Sequence, residues 1–101
     1  MAWVLPLESD GFRCTPDGRP LVWRTGDAGA SWAPQGDGLP EANAWFTVLR
    51  DGFTADALDP VGLYFGTRTG QLFASNDEGA RWRTLAEWLP PVVCVKTAVV
   101  P

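Results

Sequence analysis

The sequence predicts an all-β chain of short antiparallel strands, on three observations. The first is composition. The 101 residues include six Trp and five Phe, with 11 Gly and 9 Pro spread along the chain. Gly and Pro at that density cut a chain into short segments joined by tight turns. The second is an internal repeat, and the third is a series of strand-length apolar runs, each bounded by turn residues.

The repeat is visible without gaps. Residues 23–40 read WRTGDAGASWAPQGDGLP and residues 73–90 read FASNDEGARWRTLAEWLP, at an offset of fifty. Thr25 falls on Ser75, Asp27 on Asp77, Gly29 on Gly79, Ala30 on Ala80 and Trp32 on Trp82. Leu39 and Pro40 fall on Leu89 and Pro90. Both copies fit [S/T]-x-D-x-G-x-x-W.

That pattern describes a hairpin. An apolar-rich run leads in, at 21–23 and again at 72–74. A Ser or Thr and an Asp precede the turn, where short oxygen-bearing side chains accept hydrogen bonds from free backbone N–H groups. Gly29 and Gly79 supply the positive φ of a tight loop. Trp32 and Trp82 begin the return strand and fold back over the turn, burying apolar area with the indole N–H free to find an acceptor. Asp27 and Asp77 therefore read as turn-formers, ahead of a catalytic or metal-binding role.

The remaining strands follow in order. Residues 45–49 (WFTVL) are compact and β-rich. Residues 61–67 (VGLYFGT) form a second run, 71–75 a third and 82–85 a fourth. Short joins, T-R-T-G and the repeat hairpin, make strands two to four an antiparallel meander. Residues 50–60 (RDGFTADALDP) read as the one longer connection, with a helical turn at ADAL. The first unit lacks its beginning: residues 3–6 take the place of the second strand, 15–19 (TPDGR) a turn and 21–24 the third strand. Residues 92–99 align with 42–49 at the same offset and read as the first strand of a further unit. The expected organisation is a partial unit over 1–42, a complete one over 43–91 and a closing strand in 92–101.

Charge and composition exclude several classes. The formal net charge is −4 and Lys and Arg are not clustered, so a phosphate backbone meets no basic face and nucleic acid is not the expected partner. The longest apolar run is far short of the roughly 20 residues of a membrane helix, so no membrane is expected either. The N-terminal MAWVLPLESD has no basic region and too short an apolar stretch for a signal peptide. A cytoplasmic protein is the expectation, with export of a longer parent left open. Cys14 and Cys94 match no metal spacing, and two readings stand: reduced, partly buried thiols, or a disulfide. There is no His, which removes Ser-His-Asp, Cys-His and His-based zinc chemistry. No metal and no cofactor are expected.

A four-stranded meander carrying T-G-D-A-G-A-S-W and S-N-D-E-G-A-R-W between its last two strands resembles the Asp-box, or BNR, repeat. That repeat is found in sialidases, sortilin-type receptors and photosystem assembly factors, all β-propellers. Nearly the whole chain is similar to the C-terminal stretch of the bacterial WD40/YVTN/BNR-like (glycosyl-hydrolase BNR repeat) family. The segments that carry this likeness are PLESD, the TPDGR turn, VLRDG, DALDP and GLYFGTRTGQLFASNDEG. The resemblance implies antiparallel four-stranded propeller blades, about two of them, from a propeller that is larger or completed by oligomerisation. Residues 92–99 would then be its closing strand. It also implies that Thr25, Asp27, Gly29, Trp32, Ser75, Asp77, Gly79 and Trp82 are structural Asp-box positions on outer blade hairpins.

Glycoside hydrolysis needs only paired carboxylates, or a Tyr nucleophile with an acidic partner in sialidase-like sites. The acidic candidates outside the boxes are Glu8, Asp10, Asp51, Asp56 and Asp59, with Arg13, Arg50 and Arg68 as carboxylate binders. Arg50, Asp51 and Glu8 follow strands directly, at a blade end, and rank first. The competing reading is solvated loop charge, with Asp56 and Asp59 capping the loop beside Pro60. Tyr64, the single Tyr, reads as a packed strand residue. The sequence thus favours a non-catalytic scaffold or binding module that self-associates or needs missing blades, with carbohydrate or protein as ligand. The alternative is the C-terminal part of a sialidase-like enzyme.

Overall fold

The computed structural model describes residues 2–7, 20–40, 47–48, 52–58 and 60–97. Every strand there pairs antiparallel. Strands β1 (Ala2–Val4), β2 (Val22–Thr25) and β3 (Ala33–Gln35) form one sheet in the order β1-β2-β3. Strands β4 (Phe53–Ala55), β5 (Leu63–Gly66), β6 (Leu72–Ser75) and β7 (Arg83–Ala86) form a second, β4-β5-β6-β7. Within each sheet every strand pairs with its sequence neighbour, through short loops in the second sheet and through residues 5–21 between β1 and β2.

The fifty-residue offset places β2 on β6 and Ala33–Gln35 within the region of β7. β1 pairs with β2 as β5 pairs with β6: Val4 stands opposite Trp23, and Phe65 opposite Phe73. Residues 3–6 were expected to replace a second strand, and β1 occupies that place in the first sheet. The β6–β7 pairing carries a bulge at Leu72/Phe73 that the β2–β3 pairing lacks.

The core lies between the sheets. Val22, Leu39, Val48, Leu63, Phe65, Phe73 and Trp82 are buried together, with Trp3, Leu5, Phe53 and Val61 packed around them. The Phe65 ring is central: centroids lie 5.0 Å away for Phe73, 5.3 Å for Trp82 and 6.2 Å for Phe53. Edge and tilted geometries of this kind add to the area term. Polar bonds stitch the sheets together. The Trp82 backbone N–H donates to Asp37 O at 2.7 Å and its indole N–H to Gln35 O at 3.2 Å. From the other side, the Trp3 indole donates to Glu78 O at 2.9 Å.

Three expectations are corrected. The first strand of the second sheet is β4, inside the segment expected to be a loop; Thr47 and Val48 are irregular, and 45, 46 and 49 lie outside the described residues. Phe53 and Thr54 pair with Phe65 and Tyr64, and the ADAL segment is a strand end and hairpin loop with no helical turn. Residues 92–97 are irregular where a strand was expected, and 98–99 lie outside the described residues. There Val92 donates its N–H to Thr67 O at 3.0 Å and covers Gly66, after a Pro90-Pro91 pair that restricts the backbone. Third, of the two readings of Cys94, a reduced and partly buried thiol or a disulfide, the thiol is free but exposed; Cys14 lies outside the described residues.

Candidate functional site

The two repeated hairpins fold with one hydrogen-bond scheme. In the first, the Thr25 hydroxyl donates to Asp27 Oδ1 at 2.8 Å and accepts the Gly29 N–H at 2.9 Å. Asp27 Oδ1 also accepts the Ser31 N–H at 2.9 Å. In the second, Ser75 donates to Asp77 Oδ1 at 2.7 Å and accepts the Gly79 N–H at 2.9 Å, and Asp77 Oδ1 accepts the Arg81 N–H at 2.9 Å. These side chains satisfy the donors that a tight loop leaves without strand partners.

Both central residues of each turn have positive φ: Ala28 at 60° and Gly29 at 91°, Glu78 at 62° and Gly79 at 91°. That is a turn whose twist matches right-handed strands, closed by Ala30 N–H on Asp27 O and Ala80 N–H on Asp77 O and set inside the longer loop between the paired strands. Gly29 and Gly79 were expected; nothing in the residue types marks Ala28 or Glu78 for this conformation, which costs an L-residue about 1–2 kcal/mol. Ala28→Asn, the residue that turn prefers, is expected to stabilise the chain by roughly 0.5–1 kcal/mol. Thermal melts of the two proteins would show it.

Electrostatics distinguishes the two carboxylates. The Ser31 hydroxyl donates to Asp27 Oδ2 at 2.6 Å. That bond, the Ser31 N–H and the Thr25 hydroxyl lower the Asp27 pKa from 3.8 to about 2. Asp77 is also lowered, chiefly by Ser75 and then by the Arg81 N–H. Position 81 offers no hydroxyl. A lowered folded-state pKa means stability that is complete above the unfolded value and is lost as pH falls through the folded one. For Asp27 that window runs from 3.8 down to about 2. Ser31→Ala is expected to move the Asp27 titration back toward 3.8, measurable by carboxyl-carbon NMR.

A third carboxylate closes the β4–β5 hairpin. Asp56 Oδ1 accepts the N–H of Gly62 at 2.8 Å and of Leu58 at 3.0 Å, and Oδ2 accepts the Tyr64 hydroxyl at 2.8 Å. The Gly62 and Leu58 bonds lower its pKa, while Asp56 raises that of Tyr64. Tyr64 is half-buried in β5. A nucleophilic phenol needs a lowered pKa or a base able to take its proton. Here the pKa is raised and the carboxylate is occupied by two backbone donors, an arrangement that holds a loop.

Of the other candidates, Glu8, Arg50 and Asp51 lie outside the described residues, as do Asp10, Arg13 and Asp59; Arg68 is exposed beside the 67–70 turn. Among the described residues no group of three or more His, Cys, Asp or Glu could hold a metal ion. No helix there is long and apolar enough to cross a membrane. A cleft of about 150 Å³ lies between Trp3 and the Phe53, Thr54, Ala55 and Leu63 side of the second sheet. A shallow groove of about 370 Å³ follows the outer strand, lined by Thr84, Leu85, Ala86, Glu87 and Trp88.

The feature that residue spacing missed is an asymmetry of burial. Trp82 is 4% exposed and Trp32, its repeat partner, 41%. Trp32 lies over its own turn, with its indole edge near Gly29, while Trp82 inserts between the sheets. No family model matches the chain, and no curated protein matches it either.

Proposed function

We propose that this chain is a non-catalytic scaffold or binding module made of Asp-box β-propeller blades, completed by further blades or by self-association. The observation that carries the reading is how its carboxylates are used. Asp27, Asp77 and Asp56 each accept backbone N–H groups from the loop that bears them. The hydrogen-bond scheme common to both T/S-x-D-x-G hairpins supports the Asp-box resemblance. The uncovered Trp32 supports a unit that takes a neighbour. Repeat units of this kind bury their apolar faces only against one another.

The second reading, the C-terminal part of a sialidase-like glycoside hydrolase, has one specific observation in its favour. Tyr64 sits 2.8 Å from an acidic partner. Its raised pKa argues against it. Incubating the chain with a panel of aryl glycosides and sialosides separates the two. No turnover is expected. Hydrolysis that is abolished in Tyr64→Phe would overturn the scaffold reading.

A further inference from the structure

The two indole bonds between the sheets differ in what stands behind them. Trp82 donates directly to Gln35 O, and its backbone N–H to Asp37 O. Trp3 donates to Glu78 O, and Glu78 is itself held by other groups. The Glu78 N–H donates to Val61 O at 3.1 Å, and its carboxylate lies 3.6 Å from the Arg24 guanidinium. Glu78 has φ 62°, a conformation disfavoured for an L-residue, so its peptide groups depend on these partners to stay aimed.

Val61 in turn is fixed by the clasp that closes the β4–β5 hairpin. Its neighbour Gly62 donates to Asp56 Oδ1 at 2.8 Å and accepts the Asp56 N–H at 2.9 Å. The carboxylate is packed so tightly on Gly62 that an added Cβ there would overlap Oδ2. Tyr64 anchors Oδ2 from β5 through its hydroxyl, at 2.8 Å. A relay of hydrogen bonds and adjoining residues thus runs from Tyr64 through Asp56, Gly62, Val61 and Glu78 to the Trp3 indole. The Trp82 contact to Gln35 and Asp37 uses none of these residues.

Trp3 is also the first sheet's wall of the cleft of about 150 Å³, whose other walls are Phe53, Thr54, Ala55 and Leu63. β1 is three residues long and only Trp3 in it is half-buried, so the indole bond carries much of what keeps this wall in place. We propose that the Trp3 indole is a gate over this cleft, latched through Glu78 to the Asp56–Tyr64 clasp. Loosening the clasp opens the gate, while the Trp82 contact keeps the sheets stacked. Coupling along such a relay requires an element with two arrangements. Here they are the indole bonded to Glu78 O and the indole swung into solvent. The gate is independent of the scaffold reading: turnover of a glycoside would overturn that reading and leave the gate standing.

The test is proton exchange of the two indole N–H groups, read by NMR in the wild type, Tyr64→Phe and Asp56→Ala. Tyr64→Phe deletes one hydroxyl and is expected to speed Trp3 exchange about five- to tenfold, the effect of one hydrogen bond. Asp56→Ala removes the whole carboxylate and is expected to speed it further. Trp82 exchange is expected to stay within about twofold in both. A soluble paramagnetic probe is expected to broaden the methyl signals of Leu63, 1% exposed, in Tyr64→Phe and to leave those of Val22, 0% exposed, unchanged. Equal acceleration of Trp3 and Trp82 would mean a general loss of stability and would overturn the gate. So would a Trp3 rate, or Leu63 signals, unmoved by Tyr64→Phe. Should Asp56→Ala fail to fold, Tyr64→Phe decides alone.

Discussion

Trp82→Ala is expected to destabilise the chain by about 3–5 kcal/mol, the range for removing a large buried aromatic side chain. The indole is packed against Phe65 at 5.3 Å and donates to Gln35 O, so the substitution opens a cavity and leaves a carbonyl without its donor. A loss of that size is a large part of the stability of a chain this long. At about 4–8 °C per kcal/mol the midpoint of a thermal melt falls well beyond error. Trp32→Ala changes the same residue type at the same place in the repeat. At dilutions where the chain is monomeric it is expected to cost under about 1 kcal/mol, because the side chain is substantially solvated already. Equal losses would contradict the unequal burial of the two hairpins.

Gly38→Ala is the second large effect, expected at about 2–5 kcal/mol. Two costs combine: a left-handed backbone at φ +90° on a residue with a Cβ, about 1–2 kcal/mol, and overpacking against rigid backbone, about 1–3 kcal/mol. The Trp82 carbonyl cannot swing away as a flexible side chain would, because its own N–H is fixed on Asp37 O at 2.7 Å. The sheets must separate locally, and indole fluorescence should shift to the red along with the loss of stability. Gly26→Ala is the control. Nothing lies within 4 Å of an added Cβ there, and a change within about 0.5 kcal/mol is expected.

The hairpins were legible because their chemistry is local. The side-chain bonds of Thr25 and Asp27 all fall within residues 25–31, so the pattern that predicts the turn lies beside every partner it needs. The second, third and fourth strands of the complete unit were legible from β-rich runs between turn signals. The β4 strand was not, because Gly52, Asp56 and Pro60 surround Phe53–Ala55 with loop-forming residues. Its strand character comes from pairing with β5 and from the Asp56 clasp on Gly62. The reverse error fell on 92–97, where Val-rich sequence promised a strand and, among the described residues, no strand pairs with it. Burial was the least legible quantity. Trp32 and Trp82 hold the same place in the repeat, yet it is Trp82 that meets the Gln35 and Asp37 carbonyls of the other sheet's loop. For the same reason the sequence could rank Glu8, Arg50 and Asp51 by position but could not bring them together.

Indole hydrogen exchange tests the stacking of the two sheets most directly. Six Trp give six indole N–H resonances. Those of Trp3 and Trp82 donate across the sheet contact to Glu78 O and Gln35 O, and are expected to exchange far more slowly than that of the exposed Trp88. Protection of both, removed together by Gly38→Ala, is the result the account predicts. Exchange of Trp3 and Trp82 as fast as Trp88 would mean that the sheets do not stack, and would contradict it.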